Sequence, residues 1–181
     1  YRSMSEFIGI VGQNFKEASG SLSTNMSEYF ENDSFYCMYD VGFDISVYET
    51  NATFVVVMGF LTAGPDLSDK FNFRNKSAAR YITEIYLNGV KDFYTLIDGN
   101  FSFCLFDREK KITIIAKDKM GSRPLFFSKK ADTLFFSTSQ RLLMESSYLK
   151  MTLNNESLAR YLALRPVRDG ETFINEIKFH F

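Results

Sequence analysis

The sequence predicts an α+β domain, two sheets with helices outside them, on three observations. From Phe35 to Leu61 β-branched and aromatic runs follow one another, broken by Gly42 and by Glu49-Thr50-Asn51. After Ser77 the apolar spacing becomes helical, and after Asp98-Gly99 short apolar runs again alternate with polar turns. Period two marks strands that bury one face, and a period of about 3.6 marks a helix with an apolar stripe.

Phe7–Gly12 reads as a short buried strand closed by glycine, followed by a polar Gly/Ser/Asn stretch through Asn25. Phe35–Val41, Phe43–Tyr48 and Thr53–Leu61 read as a meander of strands. Ala63-Gly64-Pro65-Asp66 is a turn cluster, with a loop over Ser68–Lys76 behind it. Ala78, Ile82, Ile85 and Tyr86 predict a helix from Ser77 to Leu87, capped by Asn75 or Ser77 and stopped at Asn88-Gly89; Val90, Phe93, Tyr94 and Ile97 predict a second helix directly behind it. Asn100–Phe106 is apolar on both alternating faces and should be a central strand covered on each side. Ile112–Lys117 should return beside it as a hairpin partner, also central. Pro124–Ser128 and Thr133–Ser137 read as strands, and Gln140–Glu145 and Glu156–Leu164 as helices.

Composition narrows the function classes. A chain of 181 residues with 20 Phe and 10 Tyr can bury about 70% of its unfolded surface in a core. Lys and Arg number 21 against 22 acids, so the charge favours neither nucleic acid nor an anionic membrane. No apolar run approaches the ~20 residues of a membrane helix, and the expected location is the cytoplasm. Cys37 and Cys104 sit inside apolar runs with no Cys/His cluster around them, which excludes a zinc site and predicts buried free thiols. Tyr1-Arg2-Ser3 read as residues added ahead of an initiator at Met4. His180, next to last in the sequence, reads as a strand-end residue; Asp66, Asp69, Glu84, Asp92 and Asp98 read as solvated loop and helix carboxylates.

Two motifs carry more. Asp98-Gly99-Asn100-Phe101-Ser102-Phe103-Cys104-Leu105-Phe106-Asp107 is followed by Lys117-Asp118-Lys119-Met120-Gly121-Ser122-Arg123-Pro124-Leu125-Phe126-Phe127. Alone, Gly121 and Pro124 are the residues of any tight corner. Together with Phe136–Leu143, Glu156–Ala163, Glu171–Ile177 and Phe7–Gly12, in that order, they resemble the class II glutamine amidotransferase domain of the asparagine synthetase family. The resemblance implies a four-layer αββα sandwich of the N-terminal nucleophile type over nearly the whole chain, with a strand over Glu171–Ile177.

The same resemblance implies that the chemistry has been lost. The family attacks the glutamine amide with the thiolate of an N-terminal cysteine whose own α-amine is the base; the matching position here is Ile8, aliphatic and preceded by seven residues. Ser3, Ser5 and the two cysteines are out of register or internal. The family's Asn-Gly-Glu oxyanion segment corresponds to Met58-Gly59-Phe60, which keeps the glycine but has no side-chain N–H at Met58, a loss of roughly 3–4 kcal/mol of transition-state stabilisation. The carboxylate that anchors the substrate amine corresponds to Ala78, and no Arg lies between Phe35 and Thr53 to hold the substrate carboxylate. Asp118, Gly121 and Pro124 persist as framework.

A catalytically silent glutaminase-like domain follows as the expectation, with no catalytic residue and no cofactor of its own. Its implied partner is a C-terminal synthetase domain that would carry ATP and magnesium and form an amide, with self-association as a further expectation. Two readings compete: a stand-alone binding module with a pocket under Gly59, and an active amidotransferase. A Ser-Gly-Gly-x-Asp-Ser phosphate loop encoded beyond Phe181 would favour the synthetase-partner reading, a stop codon the stand-alone module.

Overall fold

The computed structural model describes residues 5–22, 26–63, 71 and 76–179. In chain order the elements are β1 (Phe7–Gly12), α1 (Phe15–Gly20), β2 (Glu28–Asn32), β3 (Phe35–Tyr39), β4 (Ile45–Glu49), β5 (Thr53–Ala63), α2 (Ala78–Leu87), a 3-10 turn (Phe93–Thr95), β6 (Ile97–Asp107), β7 (Ile112–Lys117), β8 (Phe126–Lys130), β9 (Thr133–Ser137), α3 (Gln140–Met144), α4 (Asn155–Leu162) and β10 (Lys178–Phe179). They form an α+β fold with two antiparallel sheets. The chain divides into two compact units, each built on one sheet.

The first unit holds Ser5 and Glu6 with Asp40–Arg123. Its sheet runs β4-β5-β6-β7. β5 and β6 pair over eleven residues, from Thr53 opposite Asp107 to Ala63 opposite Ile97. Strands buried on both faces carry apolar residues at every position, and from Phe101 to Phe106 every residue of β6 is buried. One face of the pair, Val55, Val57, Phe101, Phe103 and Leu105, packs with Ala79, Ile82 and Ile85 of α2. Each fully buried isoleucine contributes about 2 kcal/mol. Ser77 caps α2 by accepting from the Arg80 N–H. The hairpin after β6 turns on Asp107, whose Oδ1 accepts from the N–H of Glu109 and of Lys110.

The second unit holds Phe7–Tyr39 and Pro124–Phe181, with sheet order β10-β8-β9-β1-β3-β2. β1 lies between β3 and β9, and Ile8 and Ile10 reach from it into a cluster with Phe15, Phe135, Leu142 and Leu143.

Several expectations are corrected. The second helix behind α2 is a single 3-10 turn, because Gly89 (φ 69°) and Asp92 (φ 49°) leave the helical region and Ile97 already belongs to β6. β7 is the edge strand of its sheet, not a central one. The Glu171–Ile177 strand is reduced to isolated bridges, with regular pairing only at Lys178–Phe179. There Thr172 Oγ1 accepts from the Ile174 N–H and donates to the Ile177 carbonyl, and this local bonding competes with the sheet ladder. The polar stretch after Gly12 contains α1, which buries only Phe15 and Ala18. β2, which was not expected, is an edge strand that buries only Phe30. Met4, Asp66, Asp69, Asn75 and His180, and the turn residues Gly64-Pro65, lie outside the described residues.

Candidate functional site

β5 and β6 build the strip on which the family's oxyanion segment would lie. Met58 is opposite Ser102, Gly59 opposite Phe101 and Phe60 opposite Asn100. Gly59 has φ 102°, and a Cβ there would run into the Asn100 carbonyl oxygen. Glycine is therefore the residue this backbone admits. The Gly59 N–H donates to the Asp44 carbonyl at 2.6 Å. Met58 is 5% exposed, and its thioether is no N–H donor. Phe60 is half exposed and meets Phe43 edge-on with ring centroids 5.9 Å apart.

The Asp118–Arg123 turn is fastened to this strip. Asp118, 4% exposed, accepts from the Ser122 N–H at 3.1 Å and the Ser122 hydroxyl at 2.8 Å. Burial pushes its carboxyl up, but the hydrogen bonds from Ser122 and the Arg123 backbone outweigh that and hold it below the ordinary value of 3.8. Gly121 takes φ 64°. Ser102 Oγ donates to the Arg123 carbonyl at 2.6 Å, joining the turn to β6. The Arg123 side chain donates through Nε to Asn100 Oδ1 at 2.9 Å and pairs through Nη2 with Asp44 Oδ2 at 3.1 Å. Asp44, Asn100 and Arg123 thus form a polar knot beside Met58-Gly59-Phe60, and the guanidinium is already neutralised.

Ala78 is the first residue of α2 and packs with the Val55–Leu105 face, whereas Met58 belongs to the other face of the same strands. The Ala79 N–H is taken by Ser46 Oγ at 3.1 Å. Glu84 is held by Lys76 and Arg80 on the surface of α2, Asp92 accepts from the Tyr94 hydroxyl, and Asp98 Oδ1 accepts from the Gly99 N–H. Each of these carboxylates has a local structural partner.

Ile8 and Pro124 belong to the second unit. Ile8 is fully buried in mid-strand, opposite Met38 on one side and Ser137 on the other. The residue before it is anchored too: the Phe7 N–H donates to Thr138 Oγ1 at 3.0 Å, and its carbonyl accepts from the Thr138 N–H at 3.1 Å and the Ser137 hydroxyl at 2.8 Å. The nitrogen of Ile8 is a peptide nitrogen, whose lone pair is delocalised into the carbonyl and cannot act as a base. Cys37 and Cys104 are buried thiols, and burial pushes the Cys37 thiol far up, away from the thiolate a nucleophile requires. Ser5 is 6% exposed.

Asp44, Asn100 and Arg123 escaped the sequence reading. Arg123 stands inside the turn motif and Asn100 next to Gly99, so both carried a signal; nothing local ties either of them to Asp44.

A family model described as a glutamine amidotransferase domain matches residues 59–180. The match begins at Gly59 and includes β6 and the Asp118–Pro124 turn. The chain is similar to asparagine synthetase (glutamine-hydrolyzing) 3 of Bacillus subtilis, 22% identical over 102 residues, which is 56% of this chain and 17% of that protein. It is also similar to a Methanocaldococcus jannaschii protein provisionally named asparagine synthetase (glutamine-hydrolyzing) 2, 23% identical over 103 residues, 55% of this chain and 20% of that one. The matched region is thus at most a fifth of the length of these relatives.

Proposed function

The chain belongs to the glutamine amidotransferase domain family, and from that premise we propose that it is a catalytically silent member serving as the structural partner of an ATP-dependent, amide-forming synthetase domain. One observation carries the reading: Ile8, where the resemblance puts the nucleophile, is a fully buried side chain in mid-strand on a peptide nitrogen. Amide attack needs a lone pair and a base, and this position supplies neither. The side chains of Met58, Gly59 and Phe60 offer no N–H for an oxyanion, and Arg123 is committed to Asp44 and Asn100.

The partner role draws support from the relatives' length and from the surface of the second unit. Tyr161, Leu162 and Leu164 at the end of α4 are 60%, 72% and 97% exposed. An apolar groove of about 340 Å³ lies between Pro124, Phe126, Phe173 and Phe179. Apolar surface of this kind marks interaction sites. ATP and magnesium would be held by the synthetase domain, whose product is an amide; self-association of the domain and a cytoplasmic location complete the reading. Among the described residues no helix is long and apolar enough to cross a membrane. The four-layer αββα order of the family fold belongs to the same proposal: Phe54, Val56, Cys104 and Phe106 are buried on the face of β5 and β6 that α2 does not cover.

The test is glutamine hydrolysis by the purified chain, alone and after treatment with an electrophilic glutamine analogue. The expected result is no ammonia release above buffer and no covalent adduct by mass spectrometry. Turnover of glutamine, or one stoichiometric adduct, overturns the proposal.

A further inference from the structure

A second cavity lies in the second unit at the far end of β8. Among the described residues β10 pairs with β8 only at Phe126 and Phe127, while β9 pairs with β8 as far as Lys130. Beside the uncovered end lies a cavity of about 380 Å³ lined by Ser128, Lys129, Lys130, Leu149, Lys150 and Glu176. Ser128 is 2% exposed, and its hydroxyl has no hydrogen-bond partner among the described residues. An orphaned buried hydroxyl is costly and uncommon unless something fills its site. Lys130 is held in place, its ammonium donating to the Tyr148 carbonyl at 2.6 Å and lying 4.0 Å from the centroid of the Tyr148 ring; two of its three N–H groups stay free. Lys129 and Lys150 are exposed and have no acidic partner among the described residues. Glu176 is the one carboxylate of the lining, and its two oxygens are taken by Thr152, from the N–H at 2.8 Å and from the hydroxyl at 2.7 Å.

We propose that this cavity binds the phosphate group of a small soluble molecule. Three lysines and one glutamate line it, a surplus of two positive charges, which matches a phosphate dianion. The Ser128 hydroxyl supplies a neutral donor from the floor, and charge-assisted hydrogen bonds from pre-positioned donors are the strong ones. The volume exceeds a phosphate group and leaves room for the body of a small ester. Lysines at an open sheet edge also deter strand pairing, a role that requires neither the cavity nor the buried hydroxyl.

Titration of the ¹⁵N-labelled chain with inorganic phosphate, at ionic strength held constant with sodium chloride, tests the site. Saturable shifts are expected at the amides of Ser128, Lys129, Lys130, Lys150 and Glu176. Binding should strengthen as the pH rises from about 5 to about 8 and inorganic phosphate loses its second proton, the lysines staying charged throughout. Ser128→Ala should weaken it about tenfold, and Lys150→Gln, fully on the surface, should weaken it severalfold without changing the fold. Shifts that do not saturate, that chloride alone reproduces, or that both variants leave unchanged overturn the proposal. So does retention by phosphatidic acid vesicles in a sedimentation assay with no response to inorganic phosphate, which would assign the lysines to a lipid surface.

Discussion

Gly59 and Gly99 stand diagonally across β5 and β6, with φ of 102° and 131°, and flank the pair Phe60–Asn100. The relationship is reciprocal: the space a Cβ would need at Gly59 is filled by the Asn100 carbonyl oxygen, and that at Gly99 by the Phe60 carbonyl oxygen. Both carbonyls of the central pair therefore rest on a glycine, and this close approach shapes the end of the sheet that carries Met58, Phe60 and Arg123.

Gly59→Ala combines a disfavoured φ with a backbone clash and should cost about 2–4 kcal/mol in urea unfolding. Gly20→Ala is the contrasting substitution. Gly20 is the last residue of α1 and a Cβ there meets nothing within 4 Å, so alanine should add about 0.5–1 kcal/mol through helix propensity. Equal effects at the two sites would show that the close approach at Gly59 does not constrain the sheet.

Acid should loosen the Asp118 turn. The folded-state carboxyl titrates below its ordinary value of 3.8, so its ionised form stabilises the fold above that pH. This contribution is lost as the pH falls through the depressed folded value. Asp107 is depressed as well: burial raises it, but the Lys110 N–H and the Tyr86 hydroxyl more than offset that. Unfolding free energy measured from pH 6 down to about pH 3 should fall. Asp118→Asn should lower stability at neutral pH by about 1–2 kcal/mol and flatten the acid slope. An unchanged slope in that variant would remove Asp118 from the acid response.

Ile8→Cys separates a missing sulfur from a missing site. The new thiol would sit among Ile10, Phe15 and Phe135 on a peptide nitrogen, so no glutamine turnover and no adduct with the glutamine-analogue electrophile are expected in the native state. Stability should drop by about 1–3 kcal/mol for the lost aliphatic volume. Restored glutaminase activity would mean that the site is intact apart from one atom.

Arg123 and Asp44 should couple. Their side chains are 24% and 19% exposed, and a double-mutant cycle of Arg123→Ala and Asp44→Ala in thermal or urea unfolding should give an interaction of about 1 kcal/mol that weakens with salt. A coupling of zero would leave the guanidinium free to meet a ligand.

Much of the fold was legible because local pattern and burial agree. Thr133–Ser137 is a strand at the expected residues, Phe7–Gly12 likewise, and Ser77 caps the helix that its spacing announced. Glu28–Asn32 was hidden by the polar faces of an edge strand, and the strand that the resemblance implied over Glu171–Ile177 is broken because Thr172 spends its hydroxyl on the local backbone. In the candidate site, Ile8, Met58 and Gly59 were named from the resemblance of their segments to the family's motifs. The fastening of Arg123 could not, since residues 44, 100 and 123 meet only through the sheet.

Family membership and the absence of a sulfur at position 8 are properties of residue identity and order, so the linear chain determined them. Whether the arginine beside the strip is free or committed, which glycines the backbone requires, and the orphaned hydroxyl of Ser128 at the end of β8 were decided by the tertiary structure. Those properties depend on distances between residues far apart in sequence, and such distances exist only once hydrogen-bonded register has brought the strands together.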